Sequence, residues 1–390
     1  MFCNTESVRS VNEVSALLIP EAYVGSANSS SQTGVDKETL FMVRVDCVAL
    51  RLSEKSALTR IPDSTADSMS KQFPMKTISG LVSINKPEGM TSRQTVTRVK
   101  NLLRKAGYGR QVKVGHCGTL DPLATGLVVV CVGRSTRLVQ LVQERPKTYT
   151  GTFQLGVVTS TDDCTGEVLS ESAVDAERIS QQTISDLLPD FTGDIEQVPP
   201  KFSAVHVDGK RAYKLARQGR DVELAPRPVQ IYGLELTKFE LPEFELKIEC
   251  GSGTYIRSLG RDIGERLGCG ATMNFLIRSA IGAFSLDDSV TPDQLTPENI
   301  ESFIKPPIAA VSHLPSHEIS EQQKARIYNG RTVEISTASQ FNTPDSTPAD
   351  DKTKRLVLVD GNQQLVAIST YDAEEGTAKP YMVFHDPPRD

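Results

Sequence analysis

No stretch of about 18 consecutive apolar residues occurs in this 390-residue chain, which excludes a spanning helix of the usual kind. The N-terminal part lacks the basic start and apolar core of a secretory signal, and it is too acidic and too poor in arginine for an organelle transit peptide. The seven cysteines (Cys3, Cys47, Cys117, Cys131, Cys164, Cys250, Cys269) are odd in number and scattered, with no C-x-x-C spacing, so neither a disulfide framework nor a zinc site is indicated. There is no Gly-rich phosphate loop, dinucleotide fingerprint, Ser/His/Asp signature or internal repeat. His116 has no second ligand at a usable spacing, so no metal is called for. These absences point to a soluble cytoplasmic protein with reduced thiols and no membrane partner, with a monomer as the default expectation.

The length and a hydrophobic content of 38% allow two or three domains with a substantial core. A net charge of −6 argues against a nucleic-acid partner until it is divided by region. Residues 79–150 carry 12 Lys+Arg against 3 Asp+Glu, whereas residues 306–390 carry 8 against 12. A block of that size fits a polyanion site, because neutralised phosphates and released counterions supply most of the affinity for nucleic acid; the plainer reading is a solvated basic face. A second island, "KFSAVHVDGKRAYKLARQGR" at 201–220, has six cations and one acid. Two such islands favour the nucleic-acid reading.

Residues 1–78 show weak periodicity and Ser-rich linkers and read as a poorly ordered extension, in which "LFMVRVDCVAL" is a candidate strand. The first strongly patterned segment opens at Met75, which raises the expectation that translation begins there. From residue 80 the pattern is mixed. "GLVSIN" and "GLVVVCVG" read as strands, and "SRQTVTRVKNLLRKAG" as a helix with Val96, Val99, Leu102 and Leu103 on its core stripe and Gly107 at its end. "KTYTGTFQLG", "VQIYGLELTKFE" and "FELKIEC" read as further strands, the last two joined through "LPE" as a hairpin. An α/β or α+β domain with a largely antiparallel sheet follows over 79–305. After "KPPIAAVSHLP", the short strands "RTVEIS", "RLVLVD", "QLVAIS" and "PYMVF", split by a polar loop at 338–353, give a small β domain over 306–390.

The stretch "GHCGTLDPLATG" at 115–126 holds one carboxylate, Asp121, among glycines that let the chain turn and leucines (Leu120, Leu123, Leu127) able to wall it in. An ionised acid in a dry setting needs a cation or several backbone donors; alternatively, Asp121 is the N-cap of a short turn at 122–125. A candidate compensator lies in "CGSGTYIRSLGRDIGERLG". There Thr254 can open a helix whose core stripe is Ile256, Leu259, Ile263 and Leu267, leaving Arg257 in the first turn. A cation at that end opposes the helix dipole, so Arg257 either faces a specific anion or lies exposed. Tyr149 is a packing residue of its strand or a face on which an extruded base stacks. His116 is a hydrogen-bonded loop residue or a pocket wall.

"GLVSINKPEGMTS", "VGHCGTLDPLATGLVVVCVGRSTRLV", "KTYTGTFQLGVVTSTDDCTGE", "QVPPKFSAVHVDGKRAYKLARQG" and "SGTYIRSLGRDIGERLGCGA" resemble, in order, the motifs of the TruB family of tRNA pseudouridine synthases across 80–285. The resemblance implies an α+β pseudouridine synthase fold with a largely antiparallel mixed sheet flanked by helices, ending in a small PUA-like β domain. It implies isomerisation of uridine 55 in the T-arm of tRNA, with the target base flipped out and no cofactor. Asp121 matches the family's essential aspartate, which attacks C1′ of the ribose or takes its 2′ proton. Arg257 matches the arginine that pairs with it, and Tyr149 the aromatic that stacks on the uracil and can remove the C5 proton. His116, Tyr255 and Leu276 match pocket positions, with Lys86 and Lys147 beside them as substrate-binding residues. The insertion at about 197–219 resembles the segment that grips the T-arm, with Lys201, Lys210, Arg211, Lys214 and Arg217 as phosphate contacts. Ser160, His206, the Gly251-Ser252 pair and Ile277 depart from the family pattern, and the missing cations are expected to weaken RNA binding or flatten its salt dependence. The same insertion argues against a guide-dependent rRNA synthase, and the set Asp121, Tyr149 and Arg257 against a non-catalytic RNA-binding protein.

Overall fold

The computed structural model describes residues 76–384 other than 204, 208, 217, 220–222 and 336–354. The expectations for the N-terminal extension, for a start at Met75 and for the 338–353 loop lie outside the described residues.

The alternation of "GLVSINK" makes β1 (Gly80–Lys86), after which a turn leads into α1 (Ser92–Lys105). Thr91 caps α1 by a reciprocal capping box with Gln94, and Val99, Leu102 and Leu103 are buried on one stripe, as their spacing requires. The chain continues through β2 (Val114–His116), the Asp121 loop, β3 (Thr125–Val132) and β4 (Lys147–Leu155). The remaining strands of this part are β5 (Gly193–Gln197), β6 (Arg227–Glu240) and β7 (Glu243–Cys250). Helix α2 (Ile256–Leu267) and β8 (Ala271–Ile281) follow.

These strands lie in a nine-stranded sheet whose main path runs β1-β3-β8-β4-β7-β6-β5. Its pairings are antiparallel except for β8 against β3, where Ile277 faces Thr125 and Arg278 faces Gly126. The expected hairpin through "LPE" is present, with Glu240 opposite Glu243. Gly126 allows the close approach at the parallel step: its φ is +102°, and a Cβ there would stand 2.4 Å from the carbonyl oxygen of Arg278.

Strand alternation sends the two faces of the sheet into different cores. Val128 and Val130 of β3 pack with Val99, Leu103, Tyr149, Leu259 and Ile263. Leu127 and Val129 pack on the other side with Val357, Ile368 and Phe384 of the C-terminal part. That part forms a five-stranded sheet from β9 (Ser316–Glu318), β10 (Val333–Glu334), β11 (Arg355–Val359), β12 (Leu365–Asp372) and β13 (Thr377–Val383), in the order β9-β11-β12-β13-β10. Besides the shared apolar cluster, Arg137 donates to the carbonyl of Val383 at 2.6 Å and Arg355 pairs with Glu144 at 3.2 Å across the junction. Among the described residues no helix is long and apolar enough to cross a membrane.

Two local expectations are corrected. The residue preceding α2 is Tyr255, with no side-chain cap, while the Thr254 hydroxyl donates to Gly251 O at 3.2 Å. Gln197 at the end of β5 takes over the capping: its Oε1 accepts from the Tyr255 N–H at 2.8 Å and its Nε2 donates to the Tyr255 carbonyl at 3.1 Å. Leu127, expected to wall Asp121, points into the opposite core, because it is one residue out of phase with Val128.

Candidate active site

The loop between β2 and β3 is held from three directions. Ser92, the first residue of α1, accepts from the Leu120 N–H at 2.8 Å and donates to the Leu120 carbonyl at 3.0 Å. From β8, Arg278 donates to the carbonyls of Leu127 at 2.8 Å and of Thr119 and Gly118 at 3.3 Å each. From the end of β1, Lys86 donates to Pro122 O at 3.3 Å and Pro87 O at 2.9 Å. Its backbone thus pinned, the loop aims Asp121 in a fixed direction.

The aim is at α2. Arg257 Nη2 stands 3.0 Å from Asp121 Oδ2, so the carboxylate meets the helix-borne cation and is not spent on a cap; the 122–125 turn closes instead through Ala124 N–H to the Asp121 carbonyl at 3.2 Å. The Arg257 side chain is 7% exposed and the Asp121 side chain 35%, so the acid is not enclosed, contrary to the dry setting expected from its flanking residues. Leu120 and Leu123 are buried in the core beneath the loop, which leaves the carboxylate free above them.

The guanidinium has other partners that tie it down. Nη1 lies 3.4 Å from Asp163 Oδ2 and donates to Thr161 O at 2.9 Å, and Nη2 also donates to Phe202 O at 3.2 Å. Asp163 is held in turn: its Oδ1 accepts from Thr161 Oγ1 at 2.7 Å, the Thr165 N–H at 3.0 Å and Thr165 Oγ1 at 2.5 Å. Asp163 and Arg278 are site residues that sequence reasoning passed over. Each carried a signal: an acid pair among hydroxyls in "TSTDDCTG", and a lone cation inside the apolar strand "FLIRSAI". Arg278, only 1% exposed, follows Ile277 on β8.

Tyr149 is buried on β4, with the Arg278 guanidinium 6.0 Å from its ring centre. Burial pushes its phenol up from the ordinary tyrosine range, and the Arg278 charge works against that shift. Leu276, opposite Gly151 of β4, packs in the same apolar cluster as Tyr149. His116, half-buried, is pushed below its ordinary value by burial, which keeps the ring neutral near pH 7. Tyr255, at the start of α2, is half-buried, and burial raises its phenol.

Lys86 and Lys147 differ from the exposed cations expected of substrate contacts. Lys86 is 0% exposed and its ammonium is bonded to main-chain carbonyls of Pro87 and of Pro122 in the Asp121 loop. Lys147 is buried two residues before Tyr149 on the same face of β4 and donates to Gln143 O. Burial lowers each to about 8. Of the insertion cations, Lys201 is exposed, Lys210 and Arg211 lie on a two-residue strand and Lys214 on the short helix Ala212–Ala216. Arg217 and the side chains of Lys210, Arg211 and Lys214 lie outside the described residues. The insertion joins the body at the same helix: Ser258 Oγ and Arg261 Nη2 both donate to Val198 O at 2.9 Å.

A model of the TruB family pseudouridylate synthase N-terminal domain matches residues 104–256, and one of the tRNA pseudouridylate synthase B C-terminal domain matches 257–306. A tRNA pseudouridine synthase B of Dehalococcoides mccartyi is 40% identical over 67% of this chain and 86% of the relative. The chain belongs to the TruB family. A second tRNA pseudouridine synthase B, from Prochlorococcus marinus, is 36% identical over 78% of this chain and 97% of its own length. A solved structure described as an H/ACA RNP bound to a substrate RNA containing 2′-deoxyuridine superposes with a TM-score of 0.57 at 22% identity, covering 80% of this chain and 86% of that one. The protein is thus a TruB family pseudouridine synthase, an isomerase that converts uridine to pseudouridine, and its α+β fold is that of the family.

A pH dependence follows from the buried lysine under the loop. The Lys86 ammonium is favoured by Asp121 but lowered to about 8 by burial, so as pH rises through about 8 the carboxylate is left with Arg257 as its compensating cation. Pseudouridine formation is expected to slow over this range, and Lys86→Met to show at neutral pH the rate that the wild type shows above it. Initial rates across pH check this; a wild-type profile flat to about pH 9.5 would mean that the charge of Lys86 is not felt at Asp121.

Proposed function

We propose that this synthase acts in the cytoplasm on uridine 55 in the T-arm of tRNA, turning the base out of its loop and onto the exposed side of Asp121. The observation that carries this reading is the ion pair of a partly exposed Asp121 with a buried Arg257. The glycosidic bond from C1′ to N1 breaks and a bond from C1′ to C5 forms, so no atom is gained or lost and no redox partner or cofactor enters. An ionised carboxylate is required, either to attack C1′ or to take the 2′ proton, and Arg257 Nη2, 3.0 Å from Asp121 Oδ2, sets a fixed cation against it. The flipped uracil stacks on Tyr149, whose proton transfer from C5 draws on Arg278 against the opposing effect of burial. His116, Tyr255 and Leu276 wall the base. Lys86 and Lys147 act from beneath, through the chain they hold.

The bound base covers the third of Asp121 that is open in the free protein, so the dry setting needed for the reaction comes with the substrate. Unstacking a base costs a few kcal/mol, which stacking and phosphate contacts must offset. The insertion at 197–219 supplies such contacts through Lys201, Lys210, Arg211, Lys214 and Arg217, on a catalytic domain of 79–305 followed by a PUA-like domain of 306–390. The relatives named tRNA pseudouridine synthase B support tRNA as the substrate. The decisive experiment uses bare, unmodified tRNA transcript and purified protein, with pseudouridine mapped by position. Formation at uridine 55 without further components is the expected result; activity that requires a guide RNA, or that falls at another position, would overturn the assignment.

A further inference from the structure

Helix α1 carries five cations and no acid along its 14 residues. Its exposed positions Arg93, Thr97, Lys100 and Arg104 follow the i, i+4, i+7, i+11 spacing of one helical stripe, so three of the cations line up along the axis. The stripe starts at the site, because Ser92 in the first turn holds Leu120 beside Asp121. At about 1.5 Å per residue, the stripe runs about 16 Å along the helix from Arg93 to Arg104.

The chain leaving α1 then enters a cleft of about 900 Å³ between the catalytic part and the C-terminal sheet. Lys113 and Arg134 line it, both exposed, with Arg110 exposed just outside. Its carboxylate, Glu301, is already paired with Lys76. On the C-terminal side the wall is made by Asn362, Gln363, Gln364, Leu365 and Phe384, with none of the acids that give that part its negative net charge. Among the described residues, none of Lys100, Arg104, Arg110, Lys113 and Arg134 is within ion-pair distance of a carboxylate.

We infer that this row, from α1 into the cleft, is a second phosphate-binding track, which takes the backbone of the tRNA stem leading away from the target loop. Unpaired cations spaced along a helix that starts at the reacting base suit a polyanion anchored at that base. The exposed stripe has Thr97 and no apolar residue, so it lacks what a membrane surface would need. The track lies on other elements than the 197–219 insertion. It rests on the tRNA reading above and goes beyond it in naming where the rest of the RNA lies.

Two charge-removing double variants test it: Lys100→Gln with Arg104→Gln, and Lys113→Gln with Arg134→Gln. Each is expected to raise KM for full-length tRNA about tenfold and to lower the salt slope of binding by roughly 1–2, at about 0.9 for each phosphate no longer neutralised. kcat should stay within about twofold, since no substituted group reaches Asp121. The control removes the same charge elsewhere, Lys238→Gln with Lys247→Gln, at exposed lysines that face Glu240 and Glu249. An unchanged KM and salt slope in both test variants, an equal loss in the control, or a fall in kcat at constant KM would each overturn the inference. Wild-type protein is assayed first, so a failure of the tRNA assignment itself would show as no pseudouridine formed before any variant is compared.

Discussion

Asp121→Asn is expected to reduce pseudouridine formation by at least about 10³-fold while leaving tRNA affinity within a few fold of wild type. The substitution keeps the size of the side chain and can still accept a hydrogen bond from Arg257 Nη2, now 3.0 Å from Asp121 Oδ2, so the loop has no reason to move. The anchors of that loop are Ser92, Arg278, Lys86 and main-chain atoms, none of which uses the Asp121 carboxylate. What the amide loses is the charge. It can neither attack C1′ nor take a proton from C2′, so both routes left open for the acid predict the same loss. Single-turnover assays with saturating enzyme, run beside filter binding of the same tRNA, separate chemistry from affinity. Turnover within about tenfold of wild type would remove Asp121 from the reaction.

The parts of this molecule that the sequence displayed are those fixed by local physics. Helix α1 follows from the spacing of Val99, Leu102 and Leu103, and the β6–β7 hairpin from two alternating runs about a short turn. The pairing of Asp121 with Arg257 was legible because a cation in the first turn of a helix is out of place unless an anion faces it. Asp163 and Arg278 were not legible in the same way. Their positions depend on sheet order: β8 is inserted between β3 and β4, and only that insertion lays Arg278 across the carbonyls of Gly118 and Thr119. The exposure of Asp121 was misjudged for a related reason. Counting leucines near an acid ignores the two-residue period of the strand that follows, and that period sends Leu127 to the opposite face.

Arg257→Lys should be nearly as damaging to activity as the loss of Asp121, on the order of 10²-fold or more, although the charge is conserved. The guanidinium engages two carboxylates and two carbonyls at once, from Asp121, Asp163, Thr161 and Phe202. A single ammonium on a flexible stem has no planar fork to span them. Asp163, 5% exposed, would keep its bonds to Thr161 and Thr165 but no longer lie close to a cation, and leaving a buried charge poorly matched costs up to about 3–5 kcal/mol when the partner is removed outright. A stability loss of roughly 1–3 kcal/mol is therefore expected for the lysine variant, read from denaturant unfolding. Stability alone cannot separate a structural arginine from one that keeps Asp121 ready to react, but the double variant can. If the two side chains act as a unit, Asp121→Asn combined with Arg257→Lys will be no slower than Asp121→Asn alone, because the arginine has no charged acid left to serve. Independent, multiplying losses would instead assign Arg257 to holding Asp163 and the base of the insertion, with no share in the chemistry at Asp121.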